Sequence, residues 1–225
     1  MAGRSVRFCG GREGLVDIEN VLFYNVGRGA FSRLIGHGLT ATRSHERPPV
    51  SPNGLQYSHY QGYRIQPAPS VSRSGTFLTF QCPPLNTATK PHDVWWAASA
   101  GSSTGAAEIT GRYRLVVEVP RSTSQNLAAS MKPLLDGIIS AMHWVDHIDE
   151  SAVGRLGEAT RWEASDIIRR LQKPAAPILG PRRVLCSYRN FIKWDPADDL
   201  CDAFTLCRSA GDDFCRVWVS SCDPP

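Results

Sequence analysis

Five polar residues between positions 132 and 150 have side chains that could do chemistry together. Lys132, Asp136, His143, His147 and Glu150 would lie within about 60 degrees of one another on a single α-helix. His143 and His147, four residues apart, could both ligate one divalent metal, with an oxygen ligand from Asp136 or Glu150. The spacing predicts a metal site at His143, His147 and Glu150. A divalent metal is the cofactor that this spacing suggests, and the identity of the metal stays open.

The other side of this predicted helix is apolar, so the polar stripe has a second interpretation. Polar residues on the outer face of an amphipathic helix are what solvent selects for. Lys132 and Asp136 then form an ordinary ion pair between successive turns, with Ser130 as the helix cap and Pro133 in the first turn. The predicted core face comprises Leu127, Met131, Leu134, Ile138, Met142 and Val145.

A strand, YRLVVEVP, precedes this helix and is separated from it by a short polar loop. Lys132 and Asp136 follow, and Trp144-Val145-Asp146 lies eight to ten residues beyond Asp136. This order, over about residues 112–150, resembles the RusA-type Holliday junction resolvases. The resemblance implies a strand–helix core, nucleic acid as the partner, and Lys132, Asp136 and Asp146 as the catalytic residues.

The chain departs from that family at the acids that bind magnesium. Aligned without a gap, those positions fall on Asn126, Ala128 and His147. Neutral side chains cannot balance a hard dication that prefers carboxylate oxygens. We therefore expect a nucleic-acid-handling protein with a degenerate RusA-like nuclease core and weak or no cleavage. A metal-dependent enzyme using His143 and His147 and a non-catalytic interaction protein are the alternatives, so whether the chain is an enzyme stays open.

Two further segments carry candidate residues. WDPADDLCDAF at 194–204 is acidic, but Asp195 followed by Pro196 is typical of a helix start and lacks the spacing of a calcium loop. The segment 45–64 mixes Tyr, His and Arg, the residue types that stack on bases and contact phosphates. Tyrosine-rich strands in any half-buried sheet have the same composition.

Charge and cysteine content narrow the class of protein. Residues 1–120 carry 12 Lys and Arg against 7 Asp and Glu, and residues 121–225 carry 13 against 14. A net charge of +4 favours a polyanionic partner without requiring one. The seven cysteines form no C-x-x-C pair, and no export signal or membrane-length apolar run is present. We expect a cytoplasmic protein with buried free thiols and no membrane partner, and a homodimer is the assembly left open.

The remaining pattern predicts the elements that position these residues. The fold class expected is α+β: a mixed or antiparallel sheet with two main amphipathic helices packed on it and a β-rich N-terminal part. The chain is expected to form a single domain, 1–225, with a β-rich part at 1–120, a RusA-like core at about 112–173 and C-terminal strands at 182–225. The second helix is predicted over EATRWEASDIIRRLQK, and strands are predicted at 15–27, 38–44, 62–66, 76–82, 93–99 and 109–120.

Overall fold

A computed structural model of the protein shows ten strands and four helices in the part of the chain that it describes. The strands are β1 (Arg4–Gly10), β2 (Leu39–Ser44), β3 (His59–Ile65), β4 (Thr76–Gln81), β5 (Ser102–Thr104), β6 (Tyr113–Val119), β7 (Leu185–Tyr188), β8 (Phe191–Trp194), β9 (Cys201–Arg208) and β10 (Phe214–Ser221). The helices are α1 (Pro91–Ala98), α2 (Leu127–Ala141), α3 (Glu150–Thr160) and α4 (Ala164–Gln172). The residues described are 4–10, 38–44, 53–54, 59–65, 73–105, 108–121, 127–209, 211 and 213–222.

Eight of the strands form one mixed sheet, in the order β1-β3-β2-β9-β6-β10-β4-β5. All neighbouring pairs in it are antiparallel except β6 and β9, which run parallel. Strands β7 and β8 form a separate antiparallel hairpin. The α+β class is therefore confirmed. The strands predicted near 38–44, 62–66, 76–82 and 109–120 are present as β2, β3, β4 and β6, whereas 15–27 lies outside the described residues.

Strand β6 lies in the middle of the sheet, between β9 and β10. Its residues are buried on both faces except Arg114, as expected for a strand covered on both sides. Helix α2 follows β6, and the chain later returns as β9 beside β6 in the parallel direction. This crossover places α2 in the core, where residues 134–142 are all buried.

Helix α1 corrects the prediction of a strand at 93–99. Pro91 occupies the start of the helix, and the Asp93 carboxylate accepts a hydrogen bond from the Lys90 backbone N–H at 2.9 Å. Both are helix-start features. Val94, Trp95 and Ala98 are buried on one side, which is helical rather than alternating spacing. Two adjacent tryptophans are typical of strands, but the helix-start residues and the spacing of the buried apolar residues favour the helix.

Helix α2 differs from its predicted limits at both ends. It begins at Leu127, so Ser130 is not the cap and Pro133 lies inside the helix. Burial of Leu127 and Met131 offsets the cost of an internal proline. The helix ends at Ala141, although the prediction continued it to 150.

Backbone hydrogen bonds to a later segment explain why α2 ends at Ala141. The Met142 carbonyl accepts from Leu179 N–H at 3.0 Å, and Val145 N–H donates to the Leu171 carbonyl at 2.9 Å. Trp144 forms an isolated parallel bridge with Pro181. These groups would be needed for helical bonds if α2 continued, so the predicted helical stripe over 132–150 is wrong beyond Ala141.

The second predicted helix is also divided. Arg161 has a left-handed backbone conformation (φ 64°) and ends α3, and α4 starts again at Ala164. Ile167 and Leu171 are buried while Trp162 and Ile168 pack at the edge of the core, so the predicted apolar stripe is confirmed for the part that is α4. The fold has four helices in the described regions rather than two.

Two expectations about chemistry can be compared with the described residues. Cys82, Cys186, Cys201, Cys207, Cys215 and Cys222 are free thiols, as predicted, and three of them, Cys201, Cys207 and Cys215, are buried. No helix among the residues described is both long enough and apolar enough to cross a membrane.

Candidate nucleic-acid interface

Lys132 and Asp136 lie together on α2, one turn apart. Lys132 Nζ is 3.2 Å from Asp136 Oδ1, and the two side chains are 37% and 10% exposed. Asp136 was predicted on a solvated stripe, but it is buried on α2, which packs against α1 and the 3-10 turn Asp198–Leu200. A buried carboxylate paired with an ammonium has little negative charge left for a metal ion.

Asp146 and His147 lie beyond the end of α2 and face solvent. Their side chains are 53% and 91% exposed, with His147 Nε2 3.9 Å from Asp146 Oδ2. Of the three residues implied by the resemblance, the structure brings Lys132 and Asp136 together on one helix and places Asp146 on a different, irregular segment. Asn126 and the side chain of Ala128 lie outside the described part of the chain.

His143 is buried and held by the backbone. Its ring is 3% exposed, and Nδ1 lies 3.0 Å from the Gly180 carbonyl oxygen. Nδ1 therefore carries the proton and donates it. Nε2 has no hydrogen-bond partner among the residues described. Burial lowers the pKa of His143 to about 4, with the nearby Arg182 acting in the same direction. The ring is neutral at pH 7 and serves to fix the segment after α2 against Gly180.

The helical premise of the predicted metal site is wrong. His143 is buried after α2 ends, His147 is exposed, and Glu150 begins the next helix, α3. No group of three or more His, Cys, Asp or Glu side chains that could hold a metal ion occurs in the described regions. The three residues do not share one helix face.

The neutral His143 predicts an acid-dependent loss of stability. Its folded pKa of about 4 is below the ordinary 6.5, so the unfolded chain takes up the proton first as pH falls. The contribution is complete above pH 6.5 and lost towards pH 4, about 3 kcal/mol in total. We expect His143→Asn, which keeps an N–H donor near Nδ1, to flatten the profile of unfolding free energy measured by urea denaturation across this range. His147→Asn is the exposed control, and a His143→Asn profile as steep as the wild type would contradict this role.

The acids of 194–204 are used in ion pairs instead of a helix start. Only one turn of 3-10 helix forms, at Asp198–Leu200, and Asp195 does not cap it. Asp195 Oδ1 is 2.9 Å from Lys193 Nζ, and Arg182 approaches Asp199 at 3.4 Å. The predicted helix start is therefore wrong, because these carboxylates are satisfied by neighbouring cations. The side chains of 45–64 lie almost entirely outside the described residues.

Asp149, which the sequence did not single out, joins α3 to the hairpin β7–β8. Its carboxylate accepts hydrogen bonds from Ala152 N–H at 3.0 Å, Ser187 N–H at 2.9 Å and Arg183 Nη2 at 2.7 Å. The backbone N–H groups of Ser187 and Ala152, and then Arg183, hold the pKa of Asp149 well below its usual range. One carboxylate therefore caps a helix and fixes the adjoining hairpin.

The hairpin has one face against the core and one face in solvent. Leu185 is buried, and Ile192 and Trp194 pack against the core. Tyr188 is the cross-strand neighbour of Phe191, and Cys186 is that of Lys193. These four side chains lie on the face of the hairpin that points away from the core. The Tyr188 and Phe191 rings are 47% and 54% exposed, and their centroids are 5.1 Å apart. Tyrosine and phenylalanine are among the residue types enriched at binding interfaces, so this face has the composition of a binding surface.

Two arginines lie beside these rings. Arg189 has a left-handed backbone (φ 53°), and its guanidinium is 5.4 Å from the centre of the Tyr188 ring. Arg155 of α3 donates from Nη1 to the Arg189 carbonyl at 2.6 Å. Neither arginine forms an ion pair with a described residue. We call Arg155, Tyr188, Arg189 and Phe191 the hairpin tip.

No protein-family model, curated protein or solved structure matches the chain.

Proposed function

We propose that the protein binds nucleic acid and does not cleave it efficiently. The observation that carries this proposal is the cationic surface around the hairpin β7–β8, formed by Arg155, Arg183, Arg189 and Lys193. Asp149 and Asp195 compensate Arg183 and Lys193, whereas Arg155 and Arg189 keep their charge for a partner. Phosphate groups are the partner that arginines in this setting bind best, since the guanidinium is always charged and presents several N–H donors.

Asp136 supports the second half of the proposal. The family that the chain resembles cleaves with acids that hold magnesium, and three of those positions are Asn126, Ala128 and His147. Asp136 is buried beside Lys132 at 3.2 Å, and Asp146 lies on a separate exposed segment. Lys132, Asp136 and Asp146 are thus proposed as remnants of a nuclease core, and the residues present do not fit a magnesium ion. The strand β6 and helix α2 that follow one another at this point are compatible with the family's order.

Neither alternative gains a specific observation. The metal-dependent enzyme needs His143, His147 and Glu150 on one helix face, an arrangement that the fold does not form. A non-catalytic interaction protein would also need an exposed surface, and the hairpin tip would serve it. The expected cytoplasmic location stays part of the proposal, as does nucleic acid as partner.

We expect purified protein to shift labelled four-way DNA junctions in a gel at low salt, and to leave them uncut with magnesium. Binding should survive removal of magnesium by chelation, because arginine–phosphate contacts need no metal. The test variant is Arg155→Ala with Arg189→Ala, which should weaken the shift while circular dichroism shows that the protein is still folded. Structure-specific cleavage would overturn the loss of nuclease chemistry. Absence of binding at the lowest salt would overturn the nucleic-acid function and leave the interaction protein ahead.

A further inference from the structure

The outer face of the hairpin combines aromatic rings with arginine side chains at one place. The Tyr188–Phe191 pair is tilted by 59° with centroids 5.1 Å apart, and the Arg189 guanidinium lies 5.4 Å from the centre of the Tyr188 ring. Phosphates of an intact duplex would contact the arginines without using these rings, because bases in a duplex are already stacked on each other. Unpaired bases have free faces that stack on aromatic side chains.

Resting on the proposed nucleic-acid function, we infer that the hairpin tip is a stacking platform for unpaired bases, with single-stranded nucleic acid as the favoured partner. Tyr188 and Phe191 supply the ring faces, and Arg189 and Arg155 supply charge for the adjoining phosphates. The charge of the site selects a polyanion over a neutral or cationic partner, and the rings select exposed bases over a closed duplex.

The position of the tip is fixed by the fold rather than by a free loop. Leu185, Ile192 and Trp194 anchor the inner face to the core. Asp149 bonds to Ser187 N–H and Arg183, and Arg155 bonds to the carbonyl of Arg189. A surface held at both strands and at its turn loses little conformational entropy when a ligand binds. The rings are therefore exposed in a fixed arrangement without a ligand.

Other parts of the molecule give weaker support for a ligand site. The stacked Trp96 and Trp162 rings, 4.0 Å apart, are already covered by Arg170 at 3.8 Å, so this cluster is satisfied within the fold. The cavity of about 450 Å³ beside Gly75, Glu108 and Ser220 has, among the described residues that line it, no buried polar side chain without a partner that would select a ligand. The Nε2 atom of His143 has no hydrogen-bond partner among the described residues, but the residue is buried in the core.

The test compares a fluorescently labelled single strand of about 15 nucleotides with the blunt duplex of the same sequence, a length suited to one stacking site. Anisotropy titrations give both affinities. The double variant Tyr188→Ala with Phe191→Ala should bind the single strand about 10- to 100-fold more weakly and change duplex affinity by less than about threefold. A second double variant, Tyr188→Leu with Phe191→Leu, keeps apolar contact on the hairpin but removes the flat rings, so the same loss is expected.

Phe214→Ala is the matched control, since Phe214 is an exposed phenylalanine (42%) on β10 of the main sheet. It should leave single-strand affinity unchanged. Circular dichroism melts of each variant confirm folding before binding is measured. If wild-type protein binds but the alanine and leucine variants keep single-strand affinity within about twofold, well below one stacked base, stacking is overturned and the proposed nucleic-acid function stands. If wild-type protein binds neither probe, both are overturned, and the hairpin tip belongs to a protein partner.

Discussion

Replacing Ile138 with aspartate is expected to unfold the protein. Ile138 is fully buried on α2 within the core that includes Leu134 and Met142. The substitution removes an apolar side chain and leaves a carboxylate without a partner, which together cost about 5 kcal/mol or more. That is comparable to the whole stability of a typical domain. Urea denaturation followed by tryptophan fluorescence and the soluble yield measure the effect.

Ile138→Val is the control that separates volume from charge. It removes one methylene from the same position and should cost only about 1 kcal/mol. A folded Ile138→Asp protein with a melting temperature close to that of the wild type would contradict the assignment of this face of α2 to the core.

Two glycines in different helices are expected to respond to alanine with opposite signs. A Cβ at Gly137 would lie 2.6 Å from the Pro91 carbonyl oxygen and 2.6 Å from Val94 Cβ. Helices α1 and α2 must therefore move apart to accept it, at a cost of about 2–3 kcal/mol. Gly137→Val should cost more, since its branched side chain requires a wider separation.

Gly154 lies on the exposed side of α3, where a Cβ would have no neighbour within 4 Å. Gly154→Ala should stabilise the protein by about 0.5–1 kcal/mol, because alanine loses less backbone entropy in a helix. The free energies of unfolding of both variants, measured side by side, test the α1–α2 packing. Equal stabilisation at the two positions would show that the two helices do not cross at Gly137.

The elements with a regular period were predictable from the sequence. Strand β6 was predicted from the segment ITGRYRLVVEVP, and the core face of α2 was predicted from the spacing of Leu127, Leu134 and Ile138. The same period was wrong when continued past Ala141, because Met142, Trp144 and Val145 form backbone bonds with residues 171–182. Such long-range hydrogen bonds cannot be predicted from a local sequence pattern. The strand predicted at 93–99 was wrong for a local reason. The two adjacent tryptophans favoured a strand, although Pro91 and Asp93 are typical of a helix start.

The candidate site was only partly predictable. Lys132 and Asp136 were predicted as an ion pair and form one, but the burial of Asp136 depends on α1, which was not expected as a helix. The hairpin tip could have been predicted on the same grounds as the segment 45–64, because YRNF at 188–191 also combines aromatic and cationic residues. Asp149 could not, since its hydrogen bonds depend on the arrangement of α3 and β7.

The most direct test of the nucleic-acid function is the salt dependence of single-strand binding by the wild-type protein. The binding constant is measured by anisotropy with a labelled oligonucleotide at several salt concentrations, without added metal. If Arg155 and Arg189, with their neighbours, contact two to four phosphates, log K should fall against log salt with a slope of about −1 to −3. Saturable binding with that slope is the predicted result. No binding at low salt, or binding that does not change with salt, would contradict the proposed function.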